Sequence, residues 1–183
     1  PTHGRCLGAG DEGRVFTMQD GRTMKQMVLN NASRHEVRAH SAIYRGIQSY
    51  TPCVTPMYDR WRCDNARMDP CSAAPSTKKR QRKGVVYAVM QHAAYGDLSH
   101  FITTHRKDPL FVEFMRSILF QILHALHVAQ ERLEMTHWDL HDENVLIHRT
   151  SAKTRVIRVR DRTWTGPTYG FCPMLYDFGF AYV

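Results

Sequence analysis

Six apolar residues, Phe111, Met115, Ile118, Ile122, Leu126 and Ala129, recur at steps of three and four. That period puts one side chain per turn on a single face and predicts an amphipathic helix over residues 110–133. Before it, the chain reads mostly as strands. Residues 5–8 open one, residues 14–18 form another, and residues 19–22 make a tight turn around Asp20-Gly21, a pair hairpins favour. Residues 23–29 return as a third strand, and residues 32–47 are helical with Ser33 as N-cap. Residues 54–61 suggest a further strand, 62–84 a loop marked by Pro70, Pro75 and serines, and Val85–Gln91 a buried strand. Gly96 breaks that run and Asp97 starts a short helix. Past the long helix come a polar loop, a short apolar strand (145–147), a basic hairpin-like stretch and a last apolar strand ending at Tyr176. Strands, then a dominant helix, then short strands predict an α+β fold rather than a doubly wound sheet.

At 43% hydrophobic and 23% charged residues, the chain is neither disordered nor fibrous. Apolar runs such as Val85–Met90 are too short to cross a bilayer, so no membrane span is expected. Residues 1–20 hold charges and glycines where a signal peptide needs an apolar stretch. The five cysteines, Cys6, Cys53, Cys63, Cys71 and Cys172, are scattered and include no CxxC pair, which predicts reduced intracellular thiols. Among the histidines, His35-Glu36…His40 lacks the HExxH interval; His137 and His141 have an i, i+4 interval but stand in a motif with a better explanation.

The formal charge of +8 is concentrated. Lys78, Lys79, Arg80, Arg82 and Lys83 carry +5, and residues 149–162 another +5, so the rest of the chain is mildly acidic. A nucleic-acid-binding domain usually spreads its basic residues over a folded face, whereas these occupy two insertion-like segments. The run at 78–83 reads as solvated surface, as a nuclear import signal, or as a patch for an acidic partner or nucleic acid.

Gly8, Gly10 and Gly13 form GxGxxG, followed by Val15, between two strand-like segments. It reads either as a plain hairpin or as a flap whose amides approach phosphates with no Cβ in the way. A dinucleotide fingerprint is disfavoured, because that motif must open a helix. Lys25 stands in the next strand, and Glu36 is the sole glutamate between Glu12 and Glu113. Later, Asp139 and Asn144 lie five apart in Thr136-His137-Trp138-Asp139-Leu140-His141-Asp142-Glu143-Asn144. Asp177-Phe178-Gly179 follows after an apolar strand. An aspartate able to accept a hydroxyl proton, beside an asparagine and a second aspartate able to bind Mg²⁺, suits phosphoryl transfer.

With these residues in this order, nearly the whole chain resembles the protein kinase superfamily, whose signatures are a Gly-rich loop, a strand lysine, a helix glutamate, HRD…N and DFG. The resemblance implies an antiparallel β N-lobe with one helix (residues 1–93, basic insertion 62–84) and the start of a mainly helical C-lobe (94–183). It implies ATP and Mg²⁺ as cofactors, Lys25 paired with Glu36, Asp139 as catalytic aspartate, and Asn144 and Asp177 as metal ligands. Met90 falls at the gatekeeper, Gln91 and Ala93 offer backbone groups to adenine, Asp97 meets the ribose, and Val15 and Leu146 cap the base. Trp138 replaces the arginine of HRD, and His141 stands where protein kinases carry a charged lysine. The Asp-Leu-His loop and residues 166–171 resemble divergent kinases of large DNA viruses. The chain stops four residues past Gly179 and is expected to be a fragment or truncated domain. The activity implied is a protein Ser/Thr kinase, intracellular and without membrane partners. The alternatives are a pseudokinase scaffold and a small-molecule kinase of the aminoglycoside/choline type.

Overall fold

A computed structural model of the chain describes residues 3–10, 13–64 and 84–183. The run Lys78–Lys83 therefore lies outside the described residues. Two compact units result, one of residues 1–41 and 56–92, the other of residues 42–55 and 93–183. The expected boundary at 93/94 differs from this division at Ala93 and in the stretch 42–55, both of which fall with the later residues.

The first unit is built on a five-stranded antiparallel sheet. Its strands are β1 (His3–Ala9), β2 (Gly13–Met18), β3 (Thr23–Val28), β4 (Met57–Cys63) and β5 (Val85–Met90), in the order β1-β2-β3-β5-β4. β5 is buried at five of six positions because it lies inside the sheet. Phe16, Met24 and Val89 make the core of one face, with Trp61 stacked on Tyr87 at 5.0 Å beside them. Burial of side chains this size contributes roughly 1.5–3 kcal/mol each. The fourth strand starts three residues later than its β-branched residues suggest.

The turn between β2 and β3 departs from the hairpin expected. Gly21 has φ +80° while Asp20 stays out of the left-handed region. Gly21 N donates to Met18 O (3.1 Å) and Met18 N to Arg22 O (2.8 Å). Those bonds close a three-residue loop with glycine in its last, left-handed position, instead of a two-residue turn.

The helix α1 (Asn31–Ile47) begins one residue earlier than expected, and its cap is Asn30, not Ser33. Ser33 N donates to Asn30 Oδ1 at 2.8 Å, and Asn30 N donates to Ser33 Oγ at 3.1 Å. This is a reciprocal box that satisfies two amides the helix itself cannot bond. Asn30→Ala is expected to cost about 1 kcal/mol in chemical denaturation; an unchanged midpoint would show the box to be dispensable.

In the second unit, α2 (Leu98–His105) is capped by Asp97, whose carboxylate accepts from His100 N at 2.7 Å. The long helix α3 (Phe111–Leu133) packs on β9 (Phe171–Leu175), which pairs antiparallel with β6 (Val145–Arg149). β7 (Thr154–Val159) and β8 (Arg162–Pro167) form the basic hairpin. Phe171 is the centre of an aromatic cluster, with Phe101, Phe114 and Tyr95 rings at 4.8, 5.1 and 5.2 Å. The buried face of α3 includes Phe114, Ile118, Gln121, Ile122, Ala125 and Ala129, so it is rotated slightly from the stripe expected.

Two expectations need correction. By length and composition α3 is apolar enough to cross a membrane. Inside this unit part of that apolarity is buried against β9, with Gln121 and His124 buried on the same helix, while Leu119, Phe120 and Leu123 stay exposed. The thiols are not all reduced either. Cys6 is disulfide-bonded, while Cys53, Cys63 and Cys172 are free. Cys53 and Cys172 are buried in contact: Cys172 donates to Cys53, holding the Cys53 thiol below its ordinary value and pushing that of Cys172 up.

Candidate active site

The candidate residues fall in both units, and each half has its own geometry. In the first, β2 and β3 align Val15 with Lys25, and β1 places Gly8 opposite Val15. The three glycines differ in what demands them. A Cβ on Gly13 would lie 2.5 Å from the Gln26 carbonyl oxygen, so packing alone requires glycine there. At Gly8 and Gly10 a Cβ would meet nothing within 4 Å.

Lys25 Nζ lies 2.6 Å from Glu36 Oε1, and both side chains are more than nine-tenths buried. β3 presents the lysine to the face on which α1 carries the glutamate. Removing two charges from water costs several kcal/mol per ion, and only close pairing offsets that. Met90 ends β5, buried. Gln91 N donates to Pro56 O (3.1 Å), and no described residue donates to its carbonyl; Ala93 O accepts from Gly96 N (3.3 Å), and its own N–H has no acceptor among the described residues.

In the second unit, the β6–β9 register sets Val145 opposite Leu175. Asn144, at the end of the short 3₁₀ turn Asp142–Asn144, and Asp177 therefore leave the same end of one ladder. Tyr176 N donates to Asn144 O (3.0 Å), tying the two loops together. Asn144 Nδ2 donates to Asp139 O (2.8 Å) and to His141 Nε2 (3.0 Å), and lies 3.4 Å from Asp139 Oδ2. The Asp139 oxygens can only accept, which orients the amide and leaves Asn144 Oδ1 with no donor among the described residues. His141 Nε2 is 4.0 Å from Asp139 Oδ2. Asp139 and His141 are about half exposed, whereas Asn144 is buried. Asp177 adopts φ +54°, and its Oδ1 accepts from Gly179 N (3.3 Å). Asp97 is committed at one oxygen to capping α2, and Leu146 is half-buried in β6. Among the described residues, no three His, Cys, Asp or Glu side chains converge as a metal cluster.

One residue of this half was passed over in the sequence. His137 is buried, its Nε2–H donates to Tyr176 O (3.0 Å), and its ring packs at 5.1 Å on Phe178. It pins the loop carrying Asp139 to the segment carrying Asp177. Its place two residues before Asp139 was the available signal. Burial holds the His137 ring below the ordinary histidine value of 6.5, and burial does the same for His124. A depressed folded value favours the neutral folded state, so this stability is present above pH 6.5 and is lost as pH falls through the folded values. Thermal unfolding should show a lower midpoint below pH 6.5, and His137→Gln should flatten that fall. Parallel curves for both proteins would remove His137 from the account.

No protein-family model matches the chain. Two curated viral proteins are similar to part of it. Uncharacterized protein 098R of Invertebrate iridescent virus 6 is 34% identical over 74 residues, 38% of this chain and 12% of that protein. Uncharacterized protein 038R of Invertebrate iridescent virus 3 is 34% identical over 77 residues, 39% of this chain and 14% of that protein. The matches thus span about an eighth of the length of these relatives, both of them viral proteins.

Proposed function

We propose that the chain carries the core of an ATP-dependent phosphotransferase, a protein Ser/Thr kinase with a kinase-like fold, transferring the γ-phosphoryl group to a protein hydroxyl. The observation that carries this reading is the buried Lys25–Glu36 pair at 2.6 Å. A sheet gains little net stability from such a pair, so its retention favours a lysine held for a ligand. The five-stranded antiparallel sheet, with one helix after its third strand, is the arrangement the reading expects.

The groups present fit the cofactors. Open space beside Gly8 and Gly10 suits phosphate oxygens approaching backbone amides. In the first unit, the Gln91 carbonyl, with no donor among the described residues, can accept from an adenine's amino group. Asn144 Oδ1 and the Asp177 carboxylate are hard oxygen donors of the type Mg²⁺ takes. When bound, Mg²⁺ would supply neutralisation of phosphate charge. Lys25 orients phosphates. Asp139, half exposed, accepts the acceptor hydroxyl's proton, and Asn144 holds the Asp139 loop in place. His141 contacts Asn144 and supplies no fixed charge of the kind a lysine brings.

Transfer of label from γ-labelled ATP to a mixture of protein substrates tests the reading, with Mg·ATP binding followed in parallel by thermal shift. Labelled protein that disappears in Asp139→Asn supports it. Binding without transfer identifies the scaffold alternative, and neither binding nor transfer overturns the reading.

A further inference from the structure

The outer side of the second unit holds a surface that the phosphotransfer reading does not use. Along α3, Leu119, Phe120 and Leu123 are 49, 43 and 63% exposed, and the β7–β8 hairpin adds Val156 and Trp164 at 50 and 39%. Two hollows open there. One, of about 240 Å³, is walled by Phe120, Leu123, Ile157, Val159 and Trp164 with His124 and His127. The other, of about 230 Å³, also borders Phe120 and Trp164 and reaches Gln121, Arg155 and Tyr169. Each has room for one or two bulky side chains.

Beside them, Arg160 and Arg162 border a neighbouring hollow with Val159, Trp164 and Asp161, and the same hairpin carries Arg158. Among the described residues none of the three arginines has a carboxylate within ion-pair distance. Nearby Glu131 faces His127 (3.7 Å), and Glu113 is engaged by Arg116 (3.2 Å). Arg158 and Arg160 line a separate hollow with Glu131 and with Arg132, whose guanidinium lies over the Tyr50 ring at 4.1 Å. Unneutralised arginines beside apolar hollows call for a partner that brings both carboxylates and hydrocarbon.

Nucleic acid fits less well. Trp164 and Phe120 meet edge to face at 6.2 Å, so each ring already spends contact on the other rather than lying open for a base. Two buried polar atoms at the 230 Å³ hollow also lack partners, Gln121 Oε1 and Arg155 Nε. Gln121 Nε2 donates to Ser117 Oγ and Phe171 O, both at 3.3 Å, which fixes the amide with its oxygen unbonded.

We propose that this face of α3 and the β7–β8 hairpin dock an acidic segment of a partner protein, one that carries bulky apolar side chains between its carboxylates. Its apolar groups fill the hollows at Trp164, and its carboxylates pair with Arg158, Arg160 and Arg162.

Fluorescence anisotropy on the full chain tests this with a labelled peptide alternating Glu and Asp with Leu and Phe. Two controls accompany it: the same peptide with Ser in place of Leu and Phe, and an oligo-dT of equal charge. Saturable binding that falls at least about tenfold with the Ser peptide is expected. Arg158→Gln/Arg160→Gln/Arg162→Gln should weaken the amphipathic peptide by a similar factor and reduce its salt dependence. These arginines are exposed, so an unchanged melting temperature confirms that the variant folds; Trp164→Ala then tests the apolar half. Equal affinity for the Ser peptide, tighter binding of oligo-dT, an unaffected triple variant, or self-association without peptide binding would each overturn the proposal.

Discussion

Lys25→Met is expected to lower the stability of the chain by roughly 3–5 kcal/mol, because it leaves a buried carboxylate without its lysine. The Glu36 side chain is 7% exposed, and its Oε1 sits 2.6 Å from Lys25 Nζ. Placing leucine at position 36 as well removes the second charge along with the first, and Lys25→Met/Glu36→Leu should recover most of the loss. Urea denaturation of the three proteins measures this directly. If the double variant is no more stable than Lys25→Met, the pair is not the source of the effect. The cycle also separates structure from chemistry: under the proposed function, the double variant regains stability and still fails to transfer phosphate.

Asp139→Asn should behave in the opposite way. The Asp139 side chain is about half exposed, and its closest polar neighbours, Asn144 Nδ2 at 3.4 Å and His141 Nε2 at 4.0 Å, make long contacts. Exposed positions of this kind change stability by about 0.5 kcal/mol or less. An amide at position 139 accepts no proton, so phosphoryl transfer should fall by about 10²–10⁴ while nucleotide binding persists. Undiminished transfer would show that the base lies elsewhere; a large loss of stability would mean that Asp139 serves the loop rather than the reaction.

The elements were largely legible in local pattern. The 3.6-residue period located α3, the Gly96-Asp97 pair located the start of α2, and the basic stretch after β6 did fold as a hairpin. The misjudged details share one cause. Asn30 outranks Ser33 as cap, and the turn at 19–21 takes a third residue, because both choices depend on which backbone amides remain unbonded once strand and helix have formed. Cys6 is disulfide-bonded for a related reason: spacing in sequence says little about which sulfurs meet.

The candidate chemistry divides along the same line. Residue types and their order were enough to single out Lys25, Glu36, Asp139, Asn144 and Asp177, since charge and ligand hardness belong to the side chain itself. Burial of Lys25 with Glu36 came from the pairing of β3 with β5 and the packing of α1, which no local pattern encodes. The β6–β9 register, formed across the 21 residues between the two strands, brings Asn144 and Asp177 to one end of a ladder and lets His137 reach Tyr176. The pairing of β7 with β8 sets Ile157 opposite Trp164, and both line hollows beside α3. A charge can be read one residue at a time, but its neighbours, its desolvation and its use depend on contacts that close only when distant segments pack.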